Sequence, residues 1–108
     1  FGDSDTVKMV MEGDSVTLES GVTELQTDYV MTWTFERPDI HIAKINKEAE
    51  TFNIYNDVLD GRFRDRLKLD HQTGSLTITN TRTTDSGLYQ LTLSAEQEKT
   101  NRFTITAY

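Results

Sequence analysis

The sequence has no cysteine in its 108 residues. That absence removes thiol catalysis, Cys-ligated zinc, iron–sulfur clusters and any disulfide framework, so the core has to be held by packing and hydrogen bonds. A chain of this length buries roughly two-thirds of its unfolded surface, which is enough for one core without staples. Cationic charge is also short, with 11 Lys and Arg against 18 Asp and Glu and a formal charge of −7. Binding to phosphate needs the opposite balance, which argues against nucleic acid and anionic membrane surfaces as partners. The acid excess gathers at the N-terminal end, where Asp3, Asp5, Glu12, Asp14, Glu19, Glu24 and Asp28 meet only Lys8 before residue 29. No apolar run approaches the ~20 residues of a membrane span, and there is no linker, repeat or low-complexity stretch. The start at Phe1, without initiator Met or signal-peptide pattern, reads as a mature fragment or expressed domain.

What is present is 35% hydrophobic and 27% charged, the balance of one soluble domain over residues 1–108. Its apolar residues alternate at period two. Val16, Leu18 and Ser20 share one side of a strand; Tyr29, Met31, Trp33 and Phe35 share another; and the pattern repeats in Phe63, Leu67 and Leu69, in Leu76 and Ile78, in Tyr89, Leu91 and Leu93, and in Phe103 and Ile105. Turn signals separate them at Gly13-Asp14, Pro38-Asp39, Asn56-Asp57, Asp60-Gly61, Thr73-Gly74 and Ser86-Gly87. Helix formers cluster only at Lys47 to Glu50, just before the β-rich Phe52 to Tyr55, and there they read as a turn. About eight or nine short antiparallel strands in a chain of this size predict an all-β sandwich or small barrel.

One segment narrows the choice. Asp85-Ser86-Gly87-Leu88-Tyr89 resembles the corner of an immunoglobulin sandwich, where a Tyr hydroxyl turns back onto the preceding bend past a small residue. In such domains a cysteine comes two residues after the Tyr, and here that place holds Leu91. Its partner follows a Gly-x-Ser-Val-Thr-Leu-x pattern; Gly13-Asp14-Ser15-Val16-Thr17-Leu18-Glu19 leads instead to Ser20. Trp33 lies 13 positions beyond Ser20, where the core tryptophan belongs. The extra strands expected between Trp33 and Phe63 make the domain V-set. Loss of such a disulfide costs about 2–5 kcal/mol, and Leu91 against Trp33 is expected to fill the space. Immunoglobulin sandwiches also commonly pair an Arg at the start of the strand lettered D with the Asp before strand F. Arg66 is chosen for that role towards Asp85, with Arg62 as the alternative.

Ile42 to Phe52, then Phe63 to Asp70 and the Thr73 to Ile78 hairpin, resemble the N-terminal V-set domain of the signalling lymphocyte activation molecule (SLAM) family and related T-cell adhesion receptors. The missing inter-sheet disulfide is the most specific part of the likeness. The resemblance implies the extracellular side of a membrane-anchored surface receptor, with this as its membrane-distal domain and a second immunoglobulin domain beyond Tyr108. Two departures stand out. No Asn opens a glycosylation sequon, Asn80-Thr81-Arg82 failing at its third residue, and Thr32 and Thr34 flank Trp33 where the family uses charged residues.

Catalytic readings fare poorly. Gly13-Asp14-Ser15-Val16 looks like the nucleophile block of a GDS-type esterase, yet neither His41 nor His71 supplies the Asp-x-x-His pair such an enzyme needs. The two histidines lack metal-ligand spacing. Asp57, Asp60, Asp65 and Asp70 lack the calcium-loop pattern and are interleaved with Arg62, Arg64 and Arg66, which reads as a solvated mixed-charge strand. No catalytic, metal or cofactor residue is assigned, and an enzyme is not expected.

The expected site is a surface. In V-set pairs the sheet of strands lettered G, F, C, C′ and C″ presents its outer face to the partner. Alternation against the inward set assigns to that face Val30, Thr32, Thr34 and Glu36, then His41, Lys44 and Asn46, then Gln90, Thr92 and Ser94, then Arg102 and Thr104, and Glu98 and Lys99 are counted with it for their charge. Lys44, Lys47, Lys99 and Arg102 nearly balance Glu36, Glu48, Glu50, Glu96 and Glu98, so a face-to-face homodimer is not forbidden by charge. The acid excess is expected in the first two strands, away from that face. The resulting expectation is a weak binder of another immunoglobulin domain, itself or a family member. The alternative is a variable-type innate receptor domain that reads ligand with its loops.

Overall fold

The computed structural model describes residues 4–20, 30–46, 49–55, 61–70, 73–94 and 99–108. Expectations for Tyr29, Lys47, Glu48, Asn56-Asp57, Asp60, His71, Glu96 and Glu98 lie outside the described residues. Nine strands run through the rest: β1 (Ser4–Val10), β2 (Val16–Leu18), β3 (Val30–Phe35), β4 (Arg37–Asn46), β5 (Thr51–Ile54), β6 (Leu67–Leu69), β7 (Leu76–Ile78), β8 (Gly87–Ser94) and β9 (Lys99–Ala107). They form a six-stranded sheet in the order β1-β9-β8-β3-β4-β5 and a three-stranded sheet in the order β2-β7-β6. Strands β9, β8, β3, β4 and β5 are those lettered G, F, C, C′ and C″. The chain is an all-β two-sheet sandwich.

Period-two alternation produces this arrangement, because each strand must turn one row of side chains into the gap between the sheets. Val16 and Leu18 are buried around exposed Thr17, and Leu76 and Ile78 around Thr77. Met31, Trp33 and Phe35 from β3 meet Tyr89, Leu91 and Leu93 from β8 and Phe103 and Ile105 from β9, all in one core. The aromatic rings lock together: Trp33 lies 5.7 Å from Phe103, Phe35 4.7 Å from Tyr89, and Phe63 stands edge-on to Phe35 at 5.4 Å.

Three expectations are corrected. Phe63 is fully buried but lies in a 3₁₀ and turn segment, residues 61–66, and the strand begins only at Leu67. The interleaved arginines are therefore a turn and not a mixed-charge strand. Pro38-Asp39 is not the turn between β3 and β4 either. The chain reverses at Glu36, whose φ of +66° lets Phe35 pair with Arg37 across a single residue. Register then jumps, so that Thr34 faces His41 and residues 38–40 have no partner on β3. Proline, with no N–H to give a ladder, is tolerated in such a bulge. Lastly, β1 pairs in parallel with β9 from Ser4↔Asn101 to Val10↔Ala107. The first strand thus belongs to the six-stranded sheet, and its share of the acid excess sits at the rim of the expected binding face.

Candidate binding face

The place where a disulfide would cross the core is held by a polar network. Ser20 is 1% exposed. Its hydroxyl donates to the Thr73 carbonyl at 2.6 Å, its N–H to Ser75 Oγ at 3.1 Å, and its own carbonyl accepts from Asn101 Nδ2 at 3.1 Å. Trp33 Nε1 donates to the Gly74 carbonyl at 2.9 Å, which ties the same hairpin to the centre of the opposite sheet. That contact depends on glycine: Gly74 has φ +80°, and a Cβ there would fall 2.2 Å from Met31 Sδ. Leu91 is buried directly opposite Trp33 in the β3–β8 ladder. The sulfur atoms are thus replaced by aliphatic packing at Leu91 and by hydrogen bonds at Ser20. Asn101 was missed in the reading of the sequence, although it falls in phase with inward Phe103 and Ile105, and a polar residue in the inward phase is the signal for such a role.

A second device closes the lower end. Arg66 immediately precedes β6, and its guanidinium donates to both Asp85 oxygens, Nη1 to Oδ2 at 2.6 Å and Nη2 to Oδ1 at 2.9 Å. It also donates to the carbonyls of Arg62 and Asn80, at 2.6 and 3.2 Å. Arg62 has a different place, its guanidinium 5.7 Å over the Phe35 ring. Asp85 is fully buried and accepts in addition from the Arg82 N–H at 2.8 Å, while its carbonyl takes the Tyr89 hydroxyl at 2.6 Å. The hydrogen bond to Asp85 holds the Arg66 guanidinium above its already high pKa, against the opposing effect of burial. Burial, reinforced by the Asp85 charge, pushes the Tyr89 hydroxyl far above the ordinary phenol range and keeps it a neutral donor. Gly87, at φ +150°, leaves room for Glu36, whose Oε1 would stand 2.2 Å from any Cβ built there.

These two braces hold β3, through Trp33, and β8, through Tyr89, from the inner side of the sheet. Ladder registers arrange the outward residues in rows. One runs Asn53, Lys44, Thr32, Thr92, Thr100; the next runs His41, Thr34, Gln90, Arg102, Asp5; a third runs Thr51, Asn46, Val30, Ser94. Glu36, His41, Ser94 and Thr104 are exposed, and Val30, Thr32, Lys44, Asn46, Gln90, Thr92 and Arg102 are half-buried. Thr34 is a correction: it is 6% exposed, its hydroxyl turned to the Gln90 carbonyl at 3.4 Å where the ladder shifts register, and it offers little to a partner. Glu98 and the side chain of Lys99 lie outside the described residues. Arg102 is not an isolated cation, since Nη1 stands 3.7 Å from Asp5 Oδ1 in a solvent-exposed pair. Such pairs contribute little to stability but alter what a partner meets.

The family model of the immunoglobulin V-set domain matches residues 3–106. Among solved structures, the first Ig-like domain of human CD48 superposes with a TM-score of 0.75 at 21% identity, covering 95% of this chain and 81% of that one. CD84 gives 0.74 at 16% identity, with 95% and 96% covered. The CD2-binding domain of CD58 gives 0.69 at 20% identity and 99% coverage here, and this chain spans only 54% of that one. No curated protein sequence matches the chain. The immunoglobulin V-set is a non-enzymatic domain family. No helix among the described residues is long and apolar enough to cross a membrane. By its strand order, its corner and its match over nearly the whole length, the chain belongs to the immunoglobulin V-set domain family.

Proposed function

We propose that this domain is the membrane-distal head of a cell-surface adhesion or immune receptor of the SLAM type. It recognises another immunoglobulin domain, its own copy or a family member, through the outward face of β9, β8, β3, β4 and β5. The observation that carries this reading is the contrast within single strands: the inward rows are closed by packing and buried hydrogen bonds, while the outward rows carry half-buried or exposed threonine, glutamine, asparagine and a few charges. A pre-ordered polar surface of this kind sets specificity and association rate, and its small apolar content keeps dissociation fast. Adhesion by many copies then supplies strength, with single-domain affinity on the order of micromolar to millimolar.

The test is binding of the soluble domain to itself and to candidate immunoglobulin domains on a sensor surface. Lys44→Glu combined with Arg102→Glu is expected to abolish binding at unchanged melting temperature; the second change also sets a carboxylate beside Asp5, deepening the repulsion. Unchanged binding by that double variant would remove the face from consideration.

A further inference from the structure

Four large apolar side chains are exposed among the described residues: Val7 (71%), Met9 (70%), Met11 (57%) and Tyr108 (60%). They are neighbours. Val7 and Met9 lie on β1 opposite Thr104 and Thr106 of β9, on the outward side of the sheet. The parallel pairing continues past the strands, since the Tyr108 N–H donates to the Val10 carbonyl and the Glu12 N–H to the Tyr108 carbonyl, so that Met11 and Tyr108 form the next rung.

Those two bonds also fix the phase of the ladder. Val10 and Glu12 turn their backbone groups towards β9, and at a period of two so do Thr6 and Lys8. The N–H and C=O of Val7 and Met9 therefore point away from β9, to the side of β1 that has no neighbouring strand among the described residues. Each of these residues presents an apolar side chain and a backbone donor–acceptor pair at one free edge. Exposed edges are ordinarily guarded by lysine, proline or a bulge. The β2 edge has such a guard, because Lys8 Nζ donates to the Thr17 carbonyl at 2.6 Å. With the Lys8 ammonium committed there, the outward row of β1 from Val7 to Met11 carries no charge.

We propose that this edge docks a second copy of the chain, which adds its own β1 antiparallel about a two-fold axis at Met9. An edge whose apolar row matches itself about a two-fold axis takes an identical copy, and charge selects the register. Copies carrying −7 each repel one another unless their contact avoids carboxylates. Centred on Met9, the pairing sets Met9 against Met9, Val7 against Met11 and Lys8 against Val10, and it ends at Thr6 against Glu12, where the chain leaves β1 for the turn in which Asp14 N–H donates to the Met11 carbonyl and Gly13 N–H to the Thr81 carbonyl. Centred one residue earlier, it sets Lys8 against Lys8 and Asp5 against Met11. Centred on Val7, it sets Asp5 against Met9. Only the first keeps every outward pair from Val7 to Met11 apolar. The two six-stranded sheets then join edge to edge with their outward faces on the same side, leaving the face described above open, so the inference does not depend on that reading.

Sedimentation velocity of the 108-residue chain, from micromolar to near-millimolar concentration, is expected to show a dimer that strengthens with added salt. Val7→Pro and Met9→Lys are expected to leave it monomeric throughout with melting unchanged: the Val7 N–H gives no bond to β9, and Met9 is exposed. Amide hydrogen exchange on the unmodified protein supplies a readout without mutation, with Val7 and Met9 protected only at concentrations where the dimer forms. A monomer at every concentration overturns the proposal, as does a dimer that survives both variants. Dissociation by Lys44→Glu alone would assign the contact to the central face. Protection of both amides in the monomer would assign the edge to another segment of the same chain. Either result would also overturn it.

Discussion

Along β3, β8 and β9 successive residues face opposite ways, so the two sides of the six-stranded sheet are written by alternate letters of the same short segments. Inward, Trp33, Leu91, Asn101 and Phe103 each have a defined partner, and the Arg66–Asp85–Tyr89 corner closes their lower end. Outward, Thr32, Thr92 and Thr100 stand in a row in which, among the described residues, no buried side-chain hydrogen bond is seen. The inner side is over-determined because each unmet polar group there would lack water to replace its partner. The outer side is underdetermined because water meets every requirement, and a partner protein has only to do as well. This difference lets the fold be held from one side of the sheet while the other side can change without unfolding it.

The sharpest way to break that contrast is at the corner. Asp85→Ala leaves the Arg66 guanidinium buried without its carboxylate and removes an acceptor from the Arg82 N–H. A loss of about 3–5 kcal/mol in urea denaturation is expected, the range for one partner removed from a buried ion pair. A loss below ~1 kcal/mol would mean that water reaches Arg66 and that the corner is not a brace.

Next comes a pair of neighbours on one strand. Leu91→Ala opens space beside Trp33 and is expected to cost about 2–5 kcal/mol, whereas Thr92→Ala, one residue on and facing outward, is expected to stay within about 0.5 kcal/mol. Equal effects from the two would mean that the strand does not separate two environments. Ser20→Ala is expected to fall between them, at about 1–3 kcal/mol, because it strips a buried hydrogen bond from the Thr73 carbonyl.

How much of this could be read from the sequence follows the same division. Inward residues announce themselves, since alternation of Val16 with Leu18 or Tyr89 with Leu91 has one physical reading, and the spacing of Ser20, Trp33 and Tyr89 then selects the sandwich. Arg66 and Asp85 were legible as a pair only through the likeness to an immunoglobulin corner, with Arg62 left as the alternative, and the burial that makes the pairing obligatory is seen only in the structure. The reversal at Glu36 was not, since a left-handed glutamate has no signature and Pro38-Asp39 offered a stronger turn signal nearby. Nor was the sheet membership of β1, because an alternating strand at a chain end reads alike whichever sheet it joins. That one ambiguity moved Asp5 to the side of Arg102. The outward face was legible only as a phase. Alternation says that Thr34 faces out, and the register shift beside it, invisible in sequence, is where it becomes covered.

The smallest effect is the most discriminating. Lys44 and Lys68 both lie on outward positions of strands, the first on β4 between Thr32 and Asn53, the second on β6 beside Thr77. Each reversal to Glu is expected to leave stability within about 0.5 kcal/mol, as for surface changes that break no buried contact. Binding is expected to separate them. Lys44→Glu alters the near-neutral patch proposed to meet the partner and should slow association, most at low salt, where the field of a single charge reaches furthest. Lys68→Glu, even combined with Thr17→Ala on the same three-stranded sheet, should leave association and dissociation rates as they were. If the two lysines prove interchangeable in binding, the outward side of the six-stranded sheet has no special standing. The division between a closed inner face and a receptive outer one would then describe the stability of the domain and not its recognition.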